Sequence, residues 1–267
     1  MKKILKHSLA LASLALVAGA ASAGIENTPH NLTTSGTGPN KQSTTGQICV
    51  FCHTPHASNT SVSAPLWNKG LPSTSYTTYS TQNSSTIDGS VLSVGSVSAA
   101  CLSCHDGTQA MDNLVNAPGS GGYKLGGSDR SYNWTTGASK ITGVANLGAD
   151  LTNDHPIGIQ YCGGGLTGSS STVSGTCNDG DFQRTKVQTK NVNGKQVFWV
   201  DTTGSGVRSK NDIILYTRDF SGAAATPSVE CASCHDPHVD KSVTGPDVNF
   251  MRVTTNGSAI CLACHTK

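Results

Sequence analysis

The feature that most constrains this chain is the pattern C-x-x-C-H, which occurs four times in 267 residues. The two cysteines of such a motif add to the vinyl groups of a haem, and the histidine that follows ligates the iron as its proximal ligand. Zinc sites also combine cysteine with histidine, but they do not require a histidine directly after every second cysteine. We therefore expect four haem c groups. The attachment cysteines are Cys49, Cys52, Cys101, Cys104, Cys231, Cys234, Cys261 and Cys264, and the proximal histidines are His53, His105, His235 and His265.

Two further cysteines, Cys162 and Cys177, are not followed by a histidine. In an exported protein a disulfide is the usual state of such a pair. Closing a loop of about 15 residues contributes roughly 3 kcal/mol of stability in the chain-entropy treatment. An unusual haem or metal ligand is the alternative. We predict a disulfide between Cys162 and Cys177.

Outside the motifs and the N-terminal segment, the chain has one additional histidine for each expected haem: His30, His56, His155 and His238. A single such histidine is most often an ordinary surface or core residue, but the equal numbers indicate that all four irons are bis-histidine ligated. Methionine is the other common ligand, and Met111 and Met251 are too few for four irons. An iron with two axial imidazoles has no open position for a substrate. We therefore expect low-potential electron transfer and not an enzyme.

His56 follows the proximal His53 in the stretch CVFCHTPH and lies too close to it to ligate the same iron. Three residues span at most about 11 Å when extended, and Pro55 stiffens the segment. If His56 ligates iron, the short segment from His53 to His56 therefore holds ligands of two neighbouring haems. The alternative is that this segment is only a capped turn after the haem site. The stretch CASCHDPH repeats the pattern with His238, whereas the second and fourth motifs lack the additional histidine. This order indicates two related haem pairs.

Large side chains are scarce in this chain, since aromatic residues make up 5% and charged residues 13%. Such a composition favours either disorder or an interior filled by a non-protein group, and the motifs favour the second. We predict an irregular, haem-cored fold that is mostly coil, with short helices and a few strands. The strongest strand signal is the Asn193-Gly194 turn within residues 186–201, which predicts a β-hairpin.

The N-terminus has the pattern of a secretory signal peptide, with a basic start, an apolar run and small residues before position 24. A membrane anchor is the alternative, but the apolar run is short for one. We expect a signal peptide at residues 1–23 and a single tetrahaem domain at 24–267, in which residues 24–48 form an irregular arm. Without the signal the chain is nearly neutral, so nothing indicates nucleic-acid binding.

Several phrases of the sequence resemble the OmcE-type tetrahaem cytochromes exported by metal-reducing bacteria: ICVFCHTPH, APLWN, ACLSCHDGTQAMD and NDHPIGIQY. The resemblance implies an extracellular filament with a continuous stack of bis-histidine haems. It also implies that one histidine is donated to a haem of the next copy. His30 lies on the N-terminal arm, which has little means of burying itself. We therefore predict that His30 is this histidine, in a head-to-tail contact that generates an open polymer.

The leading hypothesis is an extracellular conduit that takes electrons from upstream cytochromes and delivers them to metal oxides or other external acceptors. A monomeric periplasmic shuttle with the same haems is a second hypothesis, although compact shuttles use shorter chains. A multihaem reductase is a third. It requires an open iron site, for which four complete motifs and four additional histidines leave little room.

Overall fold

A computed structural model describes residues 24–79, 84–119, 121–220, 226–239 and 250–266. The predicted signal peptide at residues 1–23 lies outside these ranges. The described strands are β1 (Lys41–Gln42), β2 (Asn113–Asn116), β3 (Tyr123–Asp129), β4 (Trp134–Thr136), β5 (Ile159–Gln160), β6 (Leu166–Ser169), β7 (Thr172–Gly175), β8 (Val187–Val192), β9 (Lys195–Val200), β10 (Ile213–Arg218) and β11 (Thr226–Val229). The helices are α1 (Ser96–His105), α2 (Cys231–Cys234) and α3 (Ala259–Cys264). Within the described ranges, no helix is long and apolar enough to cross a membrane.

The predicted irregular architecture with short helices is confirmed, since the longest described helix has 10 residues and long stretches are coil. The strands are more organised than expected. Five of them form an antiparallel sheet in the order β5-β11-β10-β9-β8. The other strands pair in twos, as β1-β4, β2-β3 and β6-β7.

The predicted hairpin forms the β8–β9 edge of this sheet. Val192 pairs with Lys195, so Asn193 and Gly194 make a two-residue turn. Their φ angles are 50° and 78°, and a type I′ turn requires positive φ at both positions. Asparagine and glycine tolerate that conformation best, which is why this hairpin could be predicted from the sequence.

A core made only of protein side chains lies beside the five-stranded sheet. Phe198 and Val200 of β9 and Ile213 and Leu215 of β10 are buried there, with Leu166 of β6 packed against them. The Cys162–Cys177 disulfide is confirmed and belongs to the same cluster. In this region the strands gather the few large side chains into an ordinary core, against which Cys264 of the fourth motif packs; the expectation of a haem-filled interior stays a prediction.

The N-terminal arm packs against the rest of the chain. Ile25 and Leu32 are buried, and β1 pairs with β4. The side chain of Asn31 is buried as well, donating to the Glu26 carbonyl at 2.8 Å and accepting from the backbone N–H of Thr33 at 3.1 Å. The arm was expected to have little means of burying itself, and this is wrong. Short polar side chains satisfy the backbone groups that burial would otherwise leave unpaired.

A buried lysine ties together the region around the first two motifs. The Lys69 side chain is fully buried. Its ammonium group donates to the carbonyls of Ala110, Met111 and Asn113 at 3.0, 3.2 and 3.2 Å. An ammonium has three donors, so each finds an acceptor, and the segment after the first motif is held against the segment after the second.

Candidate cofactor site

Each of the four C-x-x-C-H motifs contains a helical turn, which is a 3₁₀ turn in the first motif and α-helical in the other three. The histidine N–H bonds to the carbonyl of the first cysteine in the first, third and fourth motifs, at 2.9, 3.1 and 2.8 Å. The second motif forms the last turn of α1. Positions i, i+3 and i+4 lie on one face of a helix. Two thiols and an imidazole can therefore reach the same bound group.

Cysteines of successive motifs lie in the same parts of the fold. Cys52 and Cys104 pack against one buried cluster. The backbone N–H of Cys231 donates to the hydroxyl of Ser98, in the helix of the second motif, at 3.0 Å. Interaction between the Cys101 and Cys231 thiols raises the pKa of Cys101 and lowers that of Cys231. The first motif therefore lies near the second, and the second near the third.

Burial is the largest influence on three of these thiols. It raises the pKa of Cys52 to about 12, that of Cys234 to about 11 and that of Cys264 to about 12. A thiol with a raised pKa stays protonated and inert towards disulfide exchange. Cys49 and Cys261, in contrast, are exposed.

Two predicted distal histidines face proximal histidines across a gap. The ring centroids of His53 and His238 are 6.0 Å apart, with an angle of 15° between the ring planes. Those of His30 and His105 are 6.1 Å apart, with an angle of 68°. Burial, followed by repulsion from His105, lowers the pKa of His30 to about 4. His30 thus lies beside a histidine of its own chain. The arm that carries it is packed down; that His30 ligates iron in a neighbouring copy stays a prediction.

His265 of the fourth motif lies within electrostatic range of His155. Burial and then repulsion from His155 lower the pKa of His265. Phe182 packs against the His265 ring at a centroid distance of 4.3 Å. Three of the four additional histidines therefore lie near a proximal histidine of the same chain.

The fourth additional histidine, His56, is exposed. Within the described part of the chain, its ring has no recorded contact with another ring. With Cys49, His53 and Pro55 it lines a cavity of about 400 Å³ at the surface. Its backbone carbonyl accepts hydrogen bonds from Thr54 and Asn116, so the short segment is fixed while the imidazole faces outward.

Several of these histidines use Nδ1 for a hydrogen bond, which leaves Nε2 available. His53 Nδ1 donates to the carbonyl of Pro65 at 2.7 Å, and His105 Nδ1 donates to that of Ala145 at 2.8 Å. His155 Nδ1 donates to the Pro156 carbonyl at 3.0 Å. Metal-ligating histidines almost always make such a bond, because it fixes the tautomer and the ring orientation.

His238 is oriented by a carboxylate. Its Nδ1 lies 3.3 Å from Oδ1 of Asp236, whose other oxygen accepts a hydrogen bond from Arg252 at 3.1 Å. Burial by itself raises the pKa of Asp236, but the hydrogen bonds from His238 and the Arg252 guanidinium outweigh it and lower the pKa to about 2. The carboxylate is therefore ionised and holds the imidazole in place.

The phrase APLWN supplies contacts to the first motif that sequence reasoning did not assign. Pro65 accepts the hydrogen bond from His53, and the indole of Trp67 lies 6.2 Å from the His53 ring in an edge-on arrangement. The Asn68 side-chain amide donates hydrogen bonds to the carbonyls of Val50 and Asn116. In the sequence, this phrase was noticeable only because it is one of those that resemble the cytochrome family.

The Trp67 indole is buried, and its Nε1 has no hydrogen-bond partner within the described part of the chain. A buried indole N–H usually finds a partner. The Nε1 atoms of Trp134 and Trp199 share this feature, so it does not by itself distinguish the surroundings of His53.

Among the described residues, no group of three or more His, Cys, Asp or Glu side chains is arranged to hold a metal ion. The arrangement present consists instead of histidine pairs next to cysteine pairs. No model of a known protein family matches the chain, and a search of curated proteins found no match.

Proposed function

We propose that this chain is an electron-transfer protein carrying four covalently attached haem c groups, each ligated by two histidines. The observation that carries the proposal is the spacing of the histidine pairs. A metal–imidazole bond is about 2 Å long, and the ring centre lies ~1 Å beyond the nitrogen. Two imidazoles on opposite sides of one iron therefore have centroids about 6 Å apart. The observed separations are 6.0 and 6.1 Å.

Haem c, when bound, supplies an iron that cycles between the ferric and ferrous states. The chain's own residues would hold it: the cysteines of each motif would attach it, and a pair of histidines would ligate its iron. Two histidine ligands would exclude water and small substrates from the metal. The residues fit electron transfer, and paired imidazoles favour a low potential.

The succession of motifs in the fold supports a continuous path for electrons. Cys52 and Cys104 pack against one cluster, and Ser98 joins the helix of the second motif to Cys231 of the third. Groups attached at neighbouring motifs would have neighbouring edges. Since tunnelling rates fall steeply with edge-to-edge distance, such a series favours rapid transfer from one motif to the next.

We further propose that copies of the chain assemble head to tail, as the OmcE-type resemblance implies, with His56 as the histidine that ligates iron in a neighbouring copy. His30, His155 and His238 lie beside proximal histidines of their own chain, whereas His56 is exposed. A heterologous contact of this kind generates an open polymer. The filament would lie outside the cell, receive electrons from upstream cytochromes and pass them to metal oxides or other acceptors.

Electron microscopy of the secreted, haem-loaded protein tests this proposal. We expect filaments for the wild type and for His30→Ala, and separate particles for His56→Ala. His30→Ala is the matched control, because it removes a histidine with a partner inside the chain. Filaments in His56→Ala would contradict the assembly mechanism. Separate particles of wild type with four bis-histidine haems would instead indicate a monomeric shuttle.

A further inference from the structure

The two histidine pairs with the clearest geometry differ in the relative orientation of their rings. The His53 and His238 planes are nearly parallel, at 15°. The His30 and His105 planes are closer to perpendicular, at 68°. If each pair ligates one iron, as the proposed function requires, this angle is the torsion between the two axial imidazoles.

We infer that the iron between His30 and His105 has a different electronic ground state from the iron between His53 and His238, and that Phe250 maintains this difference. Each imidazole donates π-electron density to the iron d orbital perpendicular to its own plane. Parallel imidazoles act on one of two such orbitals and separate their energies. Perpendicular imidazoles act on one orbital each and leave the two nearly degenerate.

The parallel pair is held at both Nδ1 atoms, by a hydrogen bond at His53 and by a carboxylate contact at His238. His53 donates to the carbonyl of Pro65 at 2.7 Å. His238 lies 3.3 Å from the Asp236 carboxylate, which Arg252 also holds. Hydrogen bonds at the distant nitrogen fix the rotation of a ligating ring, so neither plane turns freely.

The crossed pair is held differently. His105 donates to the Ala145 carbonyl at 2.8 Å. The His30 ring is stacked on Phe250, with centroids 4.3 Å apart and an angle of 15° between the planes. It also lies close to the backbone of Pro237. A flat ring lying against the imidazole opposes rotation about the iron–nitrogen bond, because rotation would drive the imidazole edge into it.

The backbone of Phe250 is consistent with a positioning role. Its φ is 66°, in the left-handed region that a bulky residue rarely adopts. The Phe250 carbonyl accepts a hydrogen bond of 2.7 Å from the N–H of Asp236, which anchors this conformation beside the loop that carries His238. Conformations of this kind persist where the surrounding structure enforces them, often at functional sites.

Electron paramagnetic resonance of the fully oxidised, haem-loaded protein tests the inference. We expect a rhombic low-spin signal from the parallel pair and a separate, highly anisotropic low-spin signal with a large maximum g value from the crossed pair. His30→Ala should remove the anisotropic signal and leave the rhombic one. Low-spin haems that give only rhombic signals would overturn this inference but leave the proposed function intact, whereas a protein without low-spin haem would overturn both.

The role of Phe250 is tested with Phe250→Leu, which keeps an apolar cover but removes the flat ring. We expect the maximum g value of the anisotropic signal to fall while the haem count stays at four. Phe198→Leu in the protein-only core is the matched control and should leave the signal unchanged. An unaltered anisotropic signal in Phe250→Leu would show that the ring does not position His30.

Discussion

The Ser98 hydroxyl donates a hydrogen bond of 2.5 Å to the buried carboxylate of Glu230, which joins the helix of the second motif to the start of the third. The same hydroxyl accepts a hydrogen bond of 3.0 Å from the N–H of Cys231. Arg218 completes the group with an ion pair of 2.7 Å to Glu230. This network lies beside the Cys101–Cys231 sulfur contact and fixes the junction between the second and third motifs.

Removing the Ser98 hydroxyl should destabilise this junction. We expect Ser98→Ala to lower the free energy of unfolding by about 1–3 kcal/mol, because a buried carboxylate and a backbone N–H each lose a partner. Ser103→Ala on the same helix is the control. Its hydroxyl bonds only to the Ala100 carbonyl, so we expect a loss of about 1 kcal/mol or less. Denaturant unfolding followed by circular dichroism measures both, and equal losses would contradict the bridging role.

Replacing the buried Lys69 should have a larger effect. In Lys69→Met three backbone carbonyls lose their donor together. At about 1 kcal/mol or more for each unsatisfied group, we expect a loss of at least ~3 kcal/mol. The exposed Lys140→Met should change stability by less than about 0.5 kcal/mol. A Lys69→Met protein as stable as wild type in denaturant would show that the carbonyls find other donors.

The disulfide should stabilise the sheet without affecting cofactor attachment. Cys162 and Cys177 are 15 residues apart, so we expect Cys162→Ala/Cys177→Ala to unfold more easily by roughly 3 kcal/mol. The number of haems per chain should not change. Treating wild type with dithiothreitol is the parallel experiment, because a thiol reductant cleaves disulfides and leaves thioethers intact. Loss of haem in the double variant would assign these cysteines a role in the cofactor site.

Asp201 should give the loop after β9 a specific dependence on pH. Burial alone raises the pKa of Asp201, but hydrogen bonds from the backbone N–H groups of Gly206, Gly204 and Thr203 outweigh it and lower the pKa. A group with a lowered folded pKa stabilises the protein above its unfolded pKa, about 4 for aspartate, and loses this contribution as the pH falls. Asp201→Asn should therefore be less stable than wild type near neutral pH, and the difference should shrink below about pH 4. A difference independent of pH would contradict this.

The sequence predicted the features that depend on local chemistry. The Asn193-Gly194 turn determined a hairpin because few residues tolerate two successive positive φ angles. The Cys162–Cys177 bridge followed from the pairing of the only two cysteines outside the motifs. The spacing within each C-x-x-C-H motif placed its three side chains on one face of a helical turn.

The features that could not be predicted depend on partners far away in the sequence. β5 is two residues long and has no strand pattern of its own; it exists because β11 pairs with it. Lys69 would ordinarily be read as a surface residue, and only the carbonyls of residues 110–113 make its burial favourable. The packing of the N-terminal arm was also missed, because a polar arm can pack when its side chains bond to its own backbone.

The measurement that tests the central proposal most directly is the absorption spectrum of the secreted, reduced protein with and without carbon monoxide, together with its haem content. We predict four covalently bound haems per chain and no spectral change with carbon monoxide, because two histidines occupy the axial positions of every iron. Fewer than four haems, or a carbon monoxide complex in the intact assembly, would contradict four bis-histidine haems.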